Sequence, residues 1–425
     1  MISPHRVDRT QTALRWFASL SLLLSILLLA FEARAHGTAS VNNPPYTAAS
    51  PEARKIEFPA VAGYKLIVAD LHSHSVFSDG HVWPKIRIEE ALRDGLDAFA
   101  VTEHLEYQPH LADIPNPDRN RATMESRKAA EGSDLIVIAG SEITRQLPVG
   151  HINALFVTDA NKLFNVSDAP EDPADTIKYY IEANKWDPKK ALKAANDQGA
   201  FVFINHPNWP AQRPSGLAML SPFHEEMIGN RMIHGVEIAN GPTYSAEAFQ
   251  LALDHGLTLL GVSDIHDLID WDFPPHHGEH RPVTLVLAEE RTEASIREAL
   301  FAGRTVVWFR NLLMGRSPQL MRVLDASLEV TAAAYEPKTS VLNVTFANHS
   351  DAHFELHAQG DVSFVTQAGR FVVPAHGEKT VMLTLPKRVP SYTLVLEVEN
   401  ALTAPDRRAS LSFTMTPAME DASAD

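Results

Sequence analysis

Two histidines, His72 and His74, stand two residues apart in Asp70-Leu71-His72-Ser73-His74-Ser75-Val76-Phe77-Ser78-Asp79-Gly80. In an extended chain that spacing turns both imidazoles to the same side, where both can reach one metal ion. A single H-x-H pair fits a solvent-facing or core-satisfied pair equally well. The pattern recurs, however. Thr102-Glu103-His104, Gly140-Ser141-Glu142, Asn205-His206-Pro207 and Ser263-Asp264-Ile265-His266 each close a short apolar run, and Gly150-His151 opens one. The chain has no cysteine, so any metal is held by nitrogen and oxygen, a donor set that suits Zn, Mn or Fe.

The apolar runs are the elements that must position these residues. They lie at 65–70, 98–101, 135–139, 153–157, 201–204, 235–238, 257–262, 283–287 and 305–309. Helix-like stretches separate several of them: one opens at Pro84 and closes at Gly95, and others cover 188–197, 245–255 and 292–301. Strands alternating with helices predict parallel βα units, and about eight strands favour a closed barrel, whose strand ends converge on one face where active sites form. Beyond Pro318 the texture changes to short, β-branched, partly alternating runs at 341–346, 371–373, 381–385, 392–398 and 411–415, which predict a small all-β sandwich.

HSHSxxSDG, TEH, the Glu of GSE, GHIN, NHP and SDIH, in this order over residues 65–310, resemble the successive motifs of the PHP (polymerase and histidinol phosphatase) superfamily. The resemblance implies a distorted (β/α)7 TIM-like barrel, one unit fewer than the run count suggests, and a centre of two or three divalent ions. It implies one ion on His72, His74, Glu142 and Asp264, and a second on Glu142, His151 and His206 with Glu142 bridging. A third would sit on Asp79, His104 and His266; many relatives carry histidine at the Asp79 position. The C-terminal β-sandwich resembles the immunoglobulin-like tails of exported members. The implied organisation is a signal peptide at 1–35, an extended lead-in at 36–60, the barrel at 61–317, the sandwich at 318–417 and a disordered tail at 418–425.

Such a centre is suited to phosphate esters. Two or three divalent ions outweigh the carboxylates Asp79, Glu142 and Asp264, and a phosphate monoester dianion nearly balances the excess. Ions bridged by Glu142 acidify a shared water into a hydroxide nucleophile and clamp the attacking and leaving oxygens. Glu142, Asp264 and His266 are therefore the expected catalytic residues. Arg145, three residues after Glu142, could fork onto the phosphate or sit in an internal ion pair. Asp70 is expected to accept a hydrogen bond from a ligand histidine. Trp83 and Trp209 could wall the pocket or pack in the core. His276, His277 and His280 lie on a loop, read as solvated rather than as a lid, while Arg304, His224, His234 and His255 are read as structural.

The chain is acidic, with a formal net charge of −16. This argues against a nucleic-acid or anionic-membrane partner and leaves a small phosphorylated metabolite as the expected substrate. Arg6, Arg9 and Arg15 precede an apolar run at 16–31, and Ala33-Arg34-Ala35 follows it. This is the pattern of a secretory signal cleaved after Ala35, which implies a periplasmic or secreted protein with no stable membrane insertion. Two other classes compete. An amidohydrolase-type barrel also begins with H-x-H, but its metals are normally bridged by a modified lysine where this chain has Glu142. A non-catalytic envelope-binding module would be expected to have lost ligands, and none of the nine positions is lost.

Overall fold

The computed structural model describes residues 55–274 and 279–418. The signal segment, most of the lead-in, His276, His277 and the residues after 418 lie outside these. Each barrel strand is short and buried almost throughout, as strands covered on both faces must be. In chain order they are β1 (Lys65–Asp70), β2 (Ala98–Val101), β3 (Ile136–Thr144), β4 (His151–Leu155), β5 (Phe201–Ile204), β6 (Gly235–Asn240), the two-residue β7 (Thr243–Tyr244) and β8 (Thr258–Val262). Setting β7 aside, this is the seven-stranded distorted barrel. β1, β2 and β3 run parallel, as do β5, β6 and β8, but β4 is antiparallel to both β3 and β5.

The expectation of eight parallel units is corrected at two places. The connection from Thr144 to His151 is too short for the crossover that a parallel strand needs, so β3 and β4 form a hairpin. β9 (Val283–Ala288) pairs antiparallel with β1, and β10 (Thr305–Phe309) antiparallel with β9. The barrel closes between β8 and β1 at their carboxyl ends. There Asp264 N donates to the His72 carbonyl at 3.0 Å and His74 N to the Ile265 carbonyl at 3.0 Å. Further down, the Thr284 hydroxyl bridges Gly261 N and O.

β11 (Leu312–Gly315) continues the sheet into the second domain, and the helix Ser317–Ser327 follows, within the span that the sequence assigns to the sandwich. Its stripe of Leu320, Val323 and Leu324 belongs to an apolar cluster that runs from Phe99 and Leu285 of the barrel to Phe346 and Leu396 of the sandwich. The sandwich starts at β12 (Leu328–Tyr335). It continues through β13 (Val341–Asn348), β14 (Phe354–Ala358), β15 (Ser363–Phe364), β16 (Arg370–Val373) and β17 (Glu378–Thr384) to the long β18 (Tyr392–Ala404) and β19 (Arg407–Met415). One sheet has the order β12-β13-β17-β15. The other holds β16, β14, β18 and β19, and it joins the barrel because β18 pairs parallel with β11. The two domains thus share a sheet as well as a core.

Candidate metal centre

The strand ends deliver the motif residues to one place. His72 Nε2, His74 Nε2, Glu142 Oε2 and Asp264 Oδ1 converge, with every pair the geometry records between 2.9 and 3.2 Å apart. A second group joins through the other oxygen of Glu142, whose Oε1 lies 2.6 Å from His151 Nδ1 and 3.3 Å from His104 Nδ1. The third forms around Asp79, with Oδ1 3.2 Å from His266 Nε2 and Oδ2 3.3 Å from His104 Nε2. His206 stands beside these clusters rather than within one. Its ring centroid is 4.9 Å from that of His151, and its Nε2 is 3.9 Å from Asp264 Oδ2. All nine expected residues therefore lie in one contiguous group.

Local backbone structure aims these side chains. His206 and Asp264, each two residues past its strand, have φ of +23° and +52°. Non-glycine residues adopt that region at a cost of about 1 kcal/mol or more, and they hold it only where the surroundings fix it. Here His206 N donates to Glu237 Oε2 at 2.6 Å, and Asp264 N to the His72 carbonyl. The turn carrying Asp79 folds back so tightly that a Cβ on Gly80 would come 2.8 Å from the His74 backbone carbon, which is why glycine stands there.

The donor set fits divalent ions. His72 Nδ1 lies 2.7 Å from Glu237 Oε1, so with a cation bound the ring proton would sit on Nδ1 and leave Nε2 as the ligating atom among the oxygens that crowd it. Glu142 Oε1 and His151 Nδ1 are buried and 2.6 Å apart without the angle of a good hydrogen bond to each other, an arrangement that a shared cation would suit. Burial alone would push the carboxyl of Glu142 up, but His104 and His151 outweigh it and hold it well below the usual range. Asp79 and Asp264 are held low against burial in the same way, chiefly by His104 and His266 and by His72 and His74. Burial would lower His72 and His104, yet the adjacent carboxylates raise both well above the ordinary histidine value. Burial and the neighbouring His151 push His206 down to about 3, leaving it a neutral nitrogen donor.

Two expectations are corrected. Asp70 touches no ligand histidine: it accepts from Ser263 N and Oγ and pairs with Arg281, which ties the end of β1 to the end of β8. Arg145 does not face the pocket. It is buried, with its guanidinium 2.9 Å from Glu106 Oε1 and donating to the carbonyls of Ala183 and Trp186, the internal ion-pair alternative. Of the two tryptophans, Trp83 is exposed and packs on Phe77, whereas Trp209 lines the pocket beside the centre. His280 stacks on Trp308 with ring centroids 3.5 Å apart.

Glu237 is absent from the residues that the sequence motifs single out. It lies inside β6, fully buried, and holds His72 Nδ1, His206 N and the Asn240 amide; that amide in turn lies 3.1 Å from Asp264 Oδ2. A lone glutamate in the otherwise apolar run Gly235-Val236-Glu237-Ile238 was the available signal, since such a residue is buried only with partners. Replacing Glu237 by glutamine is expected to weaken metal affinity about 10- to 100-fold, the usual cost of losing the carboxylate behind a ligand histidine. Competition against a graded chelator series measures it, and unchanged affinity would remove Glu237 from the centre's support.

A family model described as an Ig-like domain matches residues 328–414. A two-domain protein from Bacteroides vulgatus containing a predicted PHP-like metal-dependent phosphoesterase is 34% identical, with a TM-score of 0.76 over 87% of this chain and 100% of that one. A candidate metal-dependent phosphoesterase from Bifidobacterium adolescentis is 19% identical with a TM-score of 0.35, covering 47% of this chain and 87% of that one. An amidohydrolase from Chromobacterium violaceum with bound sulfate and no metal is 17% identical with a TM-score of 0.32, over the same shares. No curated protein matches. The 34% identity over the whole of the Bacteroides protein decides the assignment: this chain belongs to the PHP-like family of metal-dependent phosphoesterases, in the two-domain form with a C-terminal immunoglobulin-like domain.

Proposed function

We propose that the chain hydrolyses small phosphate esters, as a phosphatase or phosphodiesterase, using two or three divalent ions (Zn, Mn or Fe) held by His72, His74, Asp79, His104, Glu142, His151, His206, Asp264 and His266. The observation that carries this reading is Glu142, whose two oxygens face different clusters: Oε2 towards His72 and His74, Oε1 towards His151. A carboxylate so placed can hold two cations at a fixed separation. Bound divalent ions would supply an acidified water as nucleophile and positive charge for the phosphoryl oxygens.

The chain's own residues set the rest. Asp264 offers Oδ1 to the first cluster while the Asn240 amide fixes its Oδ2. His266 Nδ1 donates to the Asp264 carbonyl at 2.8 Å, which leaves Nε2 as the donor atom facing Asp79. Burial of the cluster keeps bulk water from competing for these atoms. No serine or cysteine nucleophile is needed, and the chain has no cysteine. A panel of phosphate monoesters and diesters, assayed after reconstitution with each metal, tests the reading. Release of phosphate or of an alcohol from some member supports it, and an inert panel with fully loaded protein contradicts it.

The pH dependence has a definite sign. Protons compete with metal for the same imidazole nitrogens, and His72 and His104 have raised pKa values, so they keep their protons to higher pH than ordinary histidines. The carboxylates ionise well below neutrality and do not limit loading. At fixed free metal, occupancy and turnover are therefore expected to rise with pH through the neutral range and to fall as acid protonates the histidines. A metal-binding isotherm that is flat between about pH 5 and 8 would be inconsistent with histidine ligation.

We also read the protein as exported, on the sequence pattern of residues 1–35. Among the described residues no helix is long and apolar enough to cross a membrane. N-terminal sequencing of the mature protein is expected to begin at His36, and a retained Met1 would contradict cleavage.

A further inference from the structure

A pocket of about 390 Å³ opens onto the centre at Asp79, His104, His151 and His266. Its walls are largely aromatic and apolar, with His81, His110, Thr144, Gln146, Thr176 and Gln212 set among them. The Tyr107 ring lies 5.8 Å from that of His104 and meets Tyr180 edge to face at 5.9 Å. Trp209 packs 5.4 Å from His151 and 5.2 Å from His206. Ile177, from the helix Thr176–Ala183 that also carries Tyr180, adds an apolar side chain.

Among the described residues no lysine or arginine lines this pocket, and Asp79 is its one carboxylate. Arginines near it in sequence point elsewhere. Arg145 is paired with Glu106, Arg119 donates to Gln108 and the Tyr179 hydroxyl, and Arg213 donates to the Met219 carbonyl. Beyond the ligand histidines, the wall residues that can carry positive charge among those described are His81, 2.6 Å from Asp267 Oδ1, and His110, so a second anionic group on the substrate would meet no permanent cation. The pocket volume is at the small end for organic ligands. Walls of this kind favour flat rings, which gain edge-to-face contact beyond their buried area.

We propose, building on the phosphoesterase reading, that the substrate is a phosphate monoester with a single phosphoryl group and a flat, uncharged ring, joined to the ester oxygen directly or through one carbon. The short linkage follows from the walls, which begin against the ligand histidines themselves. In the reaction one water is consumed: its oxygen bonds to phosphorus, and the bond from phosphorus to the ester oxygen breaks with its electron pair going to that oxygen. A proton from the water ends on the departing oxygen, giving a phenol or arylmethanol and inorganic phosphate. Tyr107, Tyr180, Ile177 and Trp209 are then specificity residues.

Non-hydrolysable phosphonates separate ring recognition from leaving-group reactivity. With metal-loaded protein turning over any phosphate ester, benzylphosphonate is expected to inhibit at least tenfold more tightly than propylphosphonate, and 3-phosphonopropionate to be the weakest of the three. Trp209→Ala and Tyr180→Ala should each reduce the benzyl-to-propyl ratio to below threefold while metal content, measured by elemental analysis, stays at the wild-type level. Equal inhibition by the three phosphonates, or a ratio that survives both substitutions, overturns the ring-substrate proposal and leaves the phosphoesterase reading standing. Failure to hydrolyse any ester with metal bound overturns both.

Discussion

Glu142→Gln is expected to lower kcat/KM for phosphate-ester hydrolysis by about 10³-fold or more, the scale on which removing a pre-organised charge from a reacting centre acts. Glutamine preserves the volume, so packing is not the cause. The substitution removes the charge that the two clusters share and leaves one oxygen where there were two. The amide's remaining donor would then face either His151 Nδ1 or the Nε2 atoms of His72 and His74. Occupancy by at least one ion should fall with the rate. Phosphate release and elemental analysis on the same preparation read both quantities. A variant within threefold of wild type would mean that Glu142 does not bridge.

Arg281→Met carries the largest expected loss of stability, about 3–5 kcal/mol, because deleting one partner of a buried ion pair strands the charges left behind. The Arg281 guanidinium is fully buried, 3.0 Å from Asp70 and 2.8 Å from Asp94, both of which are also fully buried. It joins the start of β9 to the end of β1 and to the end of the helix Pro84–Arg93. Because Asp70 also holds Ser263, the loss should spread to the turn that presents Asp264 and His266. Denaturant titration followed by tryptophan fluorescence reads the change. A loss under about 1 kcal/mol would show that water or rearrangement satisfies the two aspartates.

The sequence made the centre largely legible because a metal cluster at strand ends leaves its ligands beside apolar runs. His72, His104, His206 and Asp264 could be found for that reason, and their order along the chain supplied the resemblance. What it concealed was pairing over long separations. Glu237 reads as a flaw in an apolar strand until the fold places it 2.7 Å from His72, 165 residues away. Asp70 and Arg145 were adjacent in sequence to the chemistry, and proximity alone suggested a role in it. Their actual partners, Arg281 and Glu106, are found only in three dimensions. Strand direction was hidden for a similar reason. A buried antiparallel strand such as β4 or β9 is covered on both faces just as a parallel one is, and only the short link from Thr144 to His151 distinguishes the first of them.

Stripping the purified protein of metal and adding ions back one equivalent at a time, with hydrolysis followed at each step, separates metal-dependent turnover from any other. The expected result is no turnover in the stripped protein, recovery that saturates at two or three equivalents, and tighter binding at higher pH. Full turnover without metal, or a saturated protein that leaves every phosphate ester intact, would contradict it.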